Sequence, residues 1–364
     1  MPEDRRLRSF TVQLIEQSDG VLILRGNRRL RVTGEGAAEA TQIIFTATSE
    51  DGIPLEQLLE LFPGPDRDPA EKLIERLLGA SFLIYSDGPL QPPLDRMEDE
   101  QDIFYWTYGV GASTVRKNLD QFGILVAGVN RITRRLCEAI QLCGISKYQV
   151  IDDNLLRNAR LFDADGRLRP EEWPSPLHAP IGNEGRLRDI DLSGIGCLIA
   201  ASDAGGQYYL RDWNRYCVDN KLVFLPVVLR DAVGLVGPIV VPGDTACLEC
   251  LRLREDSNLG DPPAMRAGEA HAFHAQIVNG MLPSMASILG DIAAMETVKF
   301  FSRLLPWRVG HLVEVNLMAP ELQVRRVLRV PRCPVCGPLS RTPSQSPLKL
   351  SFVPANYTDY TDAK

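Results

Sequence analysis

Two hydrophobic periods divide the first part of this chain. Between residues 10 and 33, apolar positions recur at every second residue. Phe10, Val12 and Leu14 alternate with polar neighbours, Val21 to Leu24 form an apolar run, and Leu30 and Val32 alternate again. A period of two predicts strands, and Asp19-Gly20 between the first two marks a hairpin turn. From residue 37 the period lengthens. Ala40, Ile43 and Ile44 sit at helical spacing within 37–48. Residues 54–62 (PLEQLLELF) form a short amphipathic helix opened by Pro54, and residues 69–79 (PAEKLIERLLG) a third, with Asp68 as N-cap and Gly79 as stop. The apolar run 82–85 predicts a closing strand.

Strands, three helices and a strand are the order of a winged helix-turn-helix module, here residues 1–87. Its third helix carries Glu71, Lys72, Glu75 and Arg76, mixed in sign, which is a poor face for phosphates. Residues 88–102 hold several prolines and acids and read as a linker. A helix over 103–122 leads into a second pattern, a run of buried-type strands alternating with helices. Gly123 to Gly128 is an apolar strand, 131–143 a helix, and 148–151 a strand ending in Asp152 and Asp153. This is a β-α-β unit of the kind that opens a nucleotide-binding parallel sheet. The strand 197–201 ends in Ser202-Asp203, followed by a helix over 208–220 and a strand over 222–228. Residues 257–268 (SNLGDPPAMRAG) read as a loop, a crossover or a lid, and 284–305 as a helix of small apolar residues suited to close packing. The Pro/Ser/Thr-rich residues 338–364 read as a mobile tail.

Composition narrows the class. With 364 residues, 45% of them hydrophobic, two globular domains are expected. The formal charge of −7 argues against a general nucleic-acid binder. No apolar run has membrane-spanning length, and the first ten residues lack the apolar core of a signal peptide, so the expected location is cytoplasmic. The sharpest chemistry lies in two cysteine pairs, Cys247/Cys250 in GDTACLECLRLR and Cys333/Cys336 in RVPRCPVCGP. Two C-x-x-C turns complete a tetrahedral zinc site with no open position, hence a structural one. A redox pair or four unrelated core cysteines is the alternative. Cys137, Cys143, Cys197 and Cys217 read as reduced core residues. His271 and His274 (AHAFHAQ) are either surface groups or a second metal site.

The N-terminal module resembles the PqqD-like recognition domain of peptide-modifying enzymes. That resemblance implies a leader peptide added as a strand along the edge Val21, Leu22, Ile23 and Leu24, with Leu73 and Leu77 of the third helix beneath it. A purely structural wing and a DNA-binding one are the other readings. Residues 103–337 resemble the ubiquitin-activating-type fold of ThiF and MoeB, with a Rossmann-type sheet and a zinc site of two C-x-x-C pairs. In that family a glycine-rich turn binds ATP, an acid after the next strand holds the ribose, and a strand-end Ser/Thr-Asp pair lies near the reacting carboxylate. Gly128, Asp152 or Asp153, and Ser202-Asp203 stand at those positions. The G-x-G-x-x-G turn itself is replaced by Gly128-Val129-Asn130-Arg131-Ile132-Thr133, whose side chains obstruct close approach of a phosphate. The basic stretch after the acid keeps Arg157 and Arg160 but not the family spacing.

Together these features resemble the ThiF-like partner subunit of azoline-forming cyclodehydratases in ribosomal peptide biosynthesis. That resemblance implies binding of a precursor's leader and delivery of its core to a separate YcaO-type protein, which uses ATP to form thiazolines or oxazolines. It implies structural zinc, a degenerate nucleotide site with ATP unlikely on this chain, no catalytic residue and a homodimer. The competing reading is an adenylating enzyme acting on a peptide carboxylate, with Asp203, Arg157 and Arg160 at work.

Overall fold

The computed structural model describes residues 6–49, 52–86, 100–108, 112–182, 190–204, 207–272, 280–303, 308–319 and 321–337. The expected linker between 88 and 99, His274 and the tail 338–364 lie outside them. The chain divides into two compact units. The first comprises Met1–Gln121 with Leu142–Ile145 and Glu296–Trp307; the second comprises the rest.

In the first unit, strand β1 (Arg6–Ser9) pairs antiparallel with the closing strand β5 (Leu83–Ser86), while β2 (Gln13–Gln17), β3 (Gly20–Arg25) and β4 (Arg28–Thr33) make a separate three-stranded sheet. The strand expected from Phe10 therefore lies elsewhere. Phe10 sits outside any strand, its ring 4.8 Å from the Arg25 guanidinium. Helices α1 (Ala37–Thr48), α2 (Leu55–Glu60) and α3 (Arg67–Gly79) follow. Their apolar faces meet Val21 and Ile23 in one core with Leu7, Ile44, Leu58, Ile74, Leu77, Phe82 and Leu83. Two threonines inside α1, Thr41 and Thr48, are buried because each hydroxyl donates to the carbonyl four residues back at 2.7 Å. Asp68 does not cap α3. The helix begins one residue earlier, and Asp68 instead accepts from Lys72 at 2.7 Å across one turn.

Strand β3 corrects the expected peptide edge. It is the central strand, paired with β2 on one side and β4 on the other. Its backbone groups are used on both sides, so no further strand can add to 21–24. Val21, Ile23 and Leu77 are core residues, and Leu73 packs against that core from its margin. Leu22 and Leu24 point to the opposite, outer face and are half-buried. The expected helix over 103–122 is two, α4 (Glu100–Thr107) and α5 (Ala112–Leu119).

The second unit is built on an eight-stranded mixed sheet. The elements in chain order are β6 (Gly123–Ala127), α6 (Arg131–Leu142), β7 (Tyr148–Asp152), β8 (Ile181–Gly182), β9 (Ile195–Ser202), α7 (Leu210–Asn220), β10 (Val223–Arg230) and β11 (Val233–Val236). Then come α8 (Leu248–Asp256), α9 (Pro262–Ala272), α10 (Pro283–Ser302, its residues from Glu296 on counted with the first unit), β12 (His311–Asn316) and β13 (Glu321–Arg326). The order across the sheet is β13-β12-β11-β10-β9-β6-β7-β8. From β10 to β8 neighbours run parallel, and from β10 outward to β13 they run antiparallel. The central strands β9 and β10 are buried along almost their whole length, as both-face-covered parallel strands require.

The residues read as a loop at 257–268 contain the start of α9. Asp261 caps it by accepting from Ala264 N at 3.1 Å, and prolines occupy the first helical positions, where a missing N–H costs nothing. Chain order turns back between β6 and β9, with β7 beyond one and β10 beyond the other. In open α/β sheets such a switch point leaves a crevice at the carboxyl ends of the strands. Gly128, Asp152 and Asp203 all sit at those ends.

Candidate functional site

Three loops meet at the switch point, and each side chain there answers a neighbouring backbone group. Gly128 follows β6 with φ of 105°, and a β-carbon on it would lie 2.9 Å from Ala201 O, Asn130 Nδ2 and Leu156 Cβ alike. Only glycine fits both the dihedral and the space. Asn130 is fully buried. Its Nδ2 donates to Ala201 O at 2.8 Å and to Leu156 O at 3.0 Å, and its Oδ1 accepts from Thr133 N at 3.0 Å. The Thr133 hydroxyl in turn accepts from Asn130 N at 3.0 Å. This reciprocal pair is a capping box closed on the first turn of α6. The remaining corner is held by Asp203, whose Oδ2 accepts from Arg131 N at 2.9 Å and from Asn158 Nδ2 at 2.8 Å.

The first turn of such a helix is where this class of sheet ordinarily takes a phosphate, on free N–H groups and the positive end of the helix dipole. Here the N–H groups of Asn130, Arg131 and Thr133 are already bonded, and the acceptor facing Arg131 N is the protein's own Asp203 carboxyl group. Burial pushes the Asp203 carboxyl above its ordinary range, with the Asn158 and Arg131 donors pulling the other way.

The acids after β7 are engaged as well. Asp152 holds Arg157 in a two-bond fork, 2.6 Å to Nε and 2.6 Å to Nη2, and the same guanidinium lies 4.6 Å from the Phe162 ring. Asp153 accepts from Leu155 N at 2.9 Å and from Trp213 Nε1 at 2.7 Å, and burial raises its carboxyl. Arg160 is exposed, one short turn beyond Asn158, its backbone N–H donating to Asn158 Oδ1. The structure thus brings Gly128, Asp152, Asp153, Arg157 and Asp203 to the strand ends. The sequence reading missed Asn130, Asn158 and Trp213 as the residues that tie them together.

The cysteine pairs converge. Cys247 stands at the start of α8 with Cys250 one turn on, and Cys333 and Cys336 come from the turn after β13. All four sulfurs are buried and lie within 4.8 Å of one another. Separations are 4.0 Å for Cys247–Cys250, 3.7 Å for Cys247–Cys333 and 3.3 Å for Cys250–Cys336. Tetrahedral zinc with sulfurs at about 2.3 Å separates its ligands by about 3.8 Å, so these four fit such an ion. The Val330 N–H donates to Cys250 Sγ at 3.3 Å. Gly337 is required by space, since a β-carbon there would meet Cys333 O at 2.4 Å. Hydrogen bonding with Cys247 and Cys250 lowers the Cys336 thiol, while bonding with Cys250 and Cys336 raises Cys247. Between Cys247 and Cys250, buried Glu249 accepts from Arg252 at 2.6 Å and Arg211 at 3.2 Å.

No family model matches the sequence. Among solved structures the chain is similar to Escherichia coli MccB, with 17% identity and a TM-score of 0.63 over 93% of this chain and 98% of MccB. It has that fold. The heterocyclase TruD is similar too, at 19% identity and a TM-score of 0.58; the match covers 92% of this chain but only 43% of TruD. HesA of Leptolyngbya boryana is 24% identical over 237 residues, 61% of this chain and 79% of HesA. The ThiF-like fold read from the sequence is therefore the fold observed, a mixed α/β architecture with an eight-stranded sheet and a four-cysteine cluster. Among the described residues no helix is long and apolar enough to cross a membrane.

Because burial raises Asp203, its contribution to stability has a definite sign. The unfolded carboxyl ionises near 3.8 and the folded one later, so stability falls as pH rises from about 4 through the folded value. Asp203→Asn keeps an acceptor for Arg131 N and Asn158. It should flatten this pH dependence of urea unfolding while costing less than about 1 kcal/mol at pH 7. A steeper dependence in the variant would contradict the assignment.

Proposed function

We propose that this chain is a recognition subunit. It binds the leader of a ribosomal precursor peptide through its first unit and presents the core to a YcaO-type cyclodehydratase that carries out the ATP chemistry. The observation that carries this reading is the turn at Gly128, whose phosphate-binding groups are taken by Asn130, Thr133 and Asp203. Activating a carboxylate with ATP needs those groups and free cations for the β- and γ-phosphates. Here Arg157 is committed to Asp152. The related structures lend support of a coarser kind, since MccB is known in complex with MccA and a heterocyclase with substrate and cofactor.

Residues 1–87, which lie within the first unit, are read as the winged helix-turn-helix recognition domain. A groove of about 610 Å³ runs along its three-stranded sheet, lined by Thr11, Val12, Gln13, Leu22, Leu24 and the arginines at 25, 28 and 29. Leu22 and Leu24 offer the apolar floor expected for leader side chains, on the outer face rather than along β3's backbone. The four cysteines are read as a structural zinc site. A closed set of four sulfurs leaves no position for substrate, so the ion's chemistry would be to cross-link α8 to the segment after β13.

Three outcomes test this function. Leu24→Glu places a charge on the groove floor without disturbing the core, and should weaken leader binding to the full-length protein at least about tenfold by fluorescence anisotropy. Unchanged binding after deletion of residues 1–87 would move recognition elsewhere. The isolated protein should not exchange pyrophosphate into ATP. Peptide-dependent exchange that is lost in Asp203→Ala would establish the adenylating reading instead. Metal analysis of untreated protein should return about one zinc per chain, lost in Cys333→Ser together with thermal stability, because structural zinc supplies on the order of 10 kcal/mol of apparent binding energy.

A further inference from the structure

The three-stranded sheet of the first unit turns one face to the core and one outward. Directly opposed residues share a face, so the strand pairing gives the outer face row by row. From β2 to β4 one row reads Gln13, Leu24, Arg29, and the next reads Ile15, Leu22, Arg31. Across the sheet the aliphatic side chains give way to a basic margin on β4. Ile15 is 44% exposed and Leu22 and Leu24 are half-buried. None of the three joins the core that Val21 and Ile23 enter from the other side. The hairpin turn closes one end of this face. Arg25 donates to Thr11 O and Arg28 to Ala80 O at 2.8 Å, which holds the turn and the segment before β2 as a wall. Arg29 and Arg31 stand exposed. Arg31 donates to Asp19 at 2.8 and 3.0 Å, an exposed pair of little strength. Among the described residues that line the groove none is acidic.

The dimensions of this face match one helix. Three strands about 4.8 Å apart span roughly 10 Å, the width of a helix. Rows two residues apart on a strand lie about 6.7 Å apart, and residues i and i+4 of a helix about 6 Å. Two apolar side chains one turn apart therefore meet Leu24 and Leu22 together, while side chains on the flank toward β4 meet Arg29 and Arg31. An extended peptide laid on the same face would leave its backbone groups unpaired, because those of β3 are used in the sheet. A helix satisfies its own.

We propose that this face takes an acidic amphipathic helix, its apolar stripe on Ile15, Leu22 and Leu24 and its carboxylates on Arg29 and Arg31. The inference rests on the reading of residues 1–87 as leader-binding. It adds which part of a leader is selected, a helical segment with aspartates or glutamates along one flank. Single-stranded nucleic acid fits less well, since its bases need stacking partners and no aromatic ring is among the described residues lining the groove.

Two labelled synthetic peptides, titrated into the full-length protein and read by fluorescence anisotropy, test it. One carries leucines at four-residue spacing with glutamates along one flank; the other has glutamines in place of the glutamates. At low salt the glutamate peptide should bind roughly three- to tenfold more tightly, the worth of two exposed ion pairs, and high salt should erase the difference. Arg29→Glu should abolish the preference. Its affinity for the glutamine peptide should match the parent's, which also shows that the groove is folded. Leu24→Glu should weaken both peptides. Equal binding of the two peptides, a preference that survives Arg29→Glu, or displacement by single-stranded DNA as readily as by unlabelled peptide would overturn the proposal. The two readings fail separately. Leader binding lost on deletion of residues 1–87, beside equal affinities for the two peptides, removes the acidic helix and keeps the function. The glutamate preference beside leader binding untouched by that deletion keeps the acidic helix and moves the leader elsewhere.

Discussion

A buried amide and a buried carboxylate hold the middle of this sheet together. Asn130 and Asp203 sit where β6, β9 and the chain after β7 come closest, and each bonds to loops other than its own. Neither group tolerates loss of its partners. An unsatisfied buried polar group costs about 1–3 kcal/mol, and more when charged. Gly128 must stay glycine because Asn130 fills the space beside it, and Asn130 must stay because Leu156 and Ala201 carbonyls have turned toward it. The constraint is mutual, so the groups of the turn hold one another in place.

That closure has a thermodynamic logic. An open phosphate nest in the absence of nucleotide leaves backbone N–H groups and a cation cluster to be solvated at a concave site. Filling it with Asp203 and Asn130 satisfies the same groups permanently, and Arg157 on Asp152 does the same for the acid at the next strand end. Sites built for function commonly sacrifice stability. Here the groups at the crevice are bonded to one another within the chain.

The cysteine spacing was legible because metal geometry is local. Two residues between ligands is a property of a turn, and it survives whatever happens in the chain between Cys250 and Cys333. The β-α-β order was legible for a similar reason, since buried parallel strands such as β9 and β10 are apolar throughout. What the sequence did not disclose was pairing. The run from Val21 to Leu24 reads as a strand in any context, yet whether it lies at an edge depends on β4 pairing with it, and the alternation of Leu30 and Val32 says nothing about the neighbour. Asn130 was equally opaque. In sequence it is an obstruction in a glycine turn; only the position of Ala201, 71 residues later, shows it to be a cap and a strut. The start of α9 was hidden by composition, because prolines after an aspartate read as loop until the cap is seen.

Placement of charge follows the same division between closed and open surfaces. In the second unit, buried ionic groups near the sites have internal partners: Glu249 with Arg211 and Arg252, Asp152 with Arg157, and Asp203 with the helix end. Burial raises the cost of each lone charge, so such partners are obligatory. In the groove of the first unit the charges are arranged differently. The groove on the first unit gathers arginines around Leu22 and Leu24. An arrangement of one sign suits a ligand of the opposite sign. The groove does not draw on the groups that close the crevice.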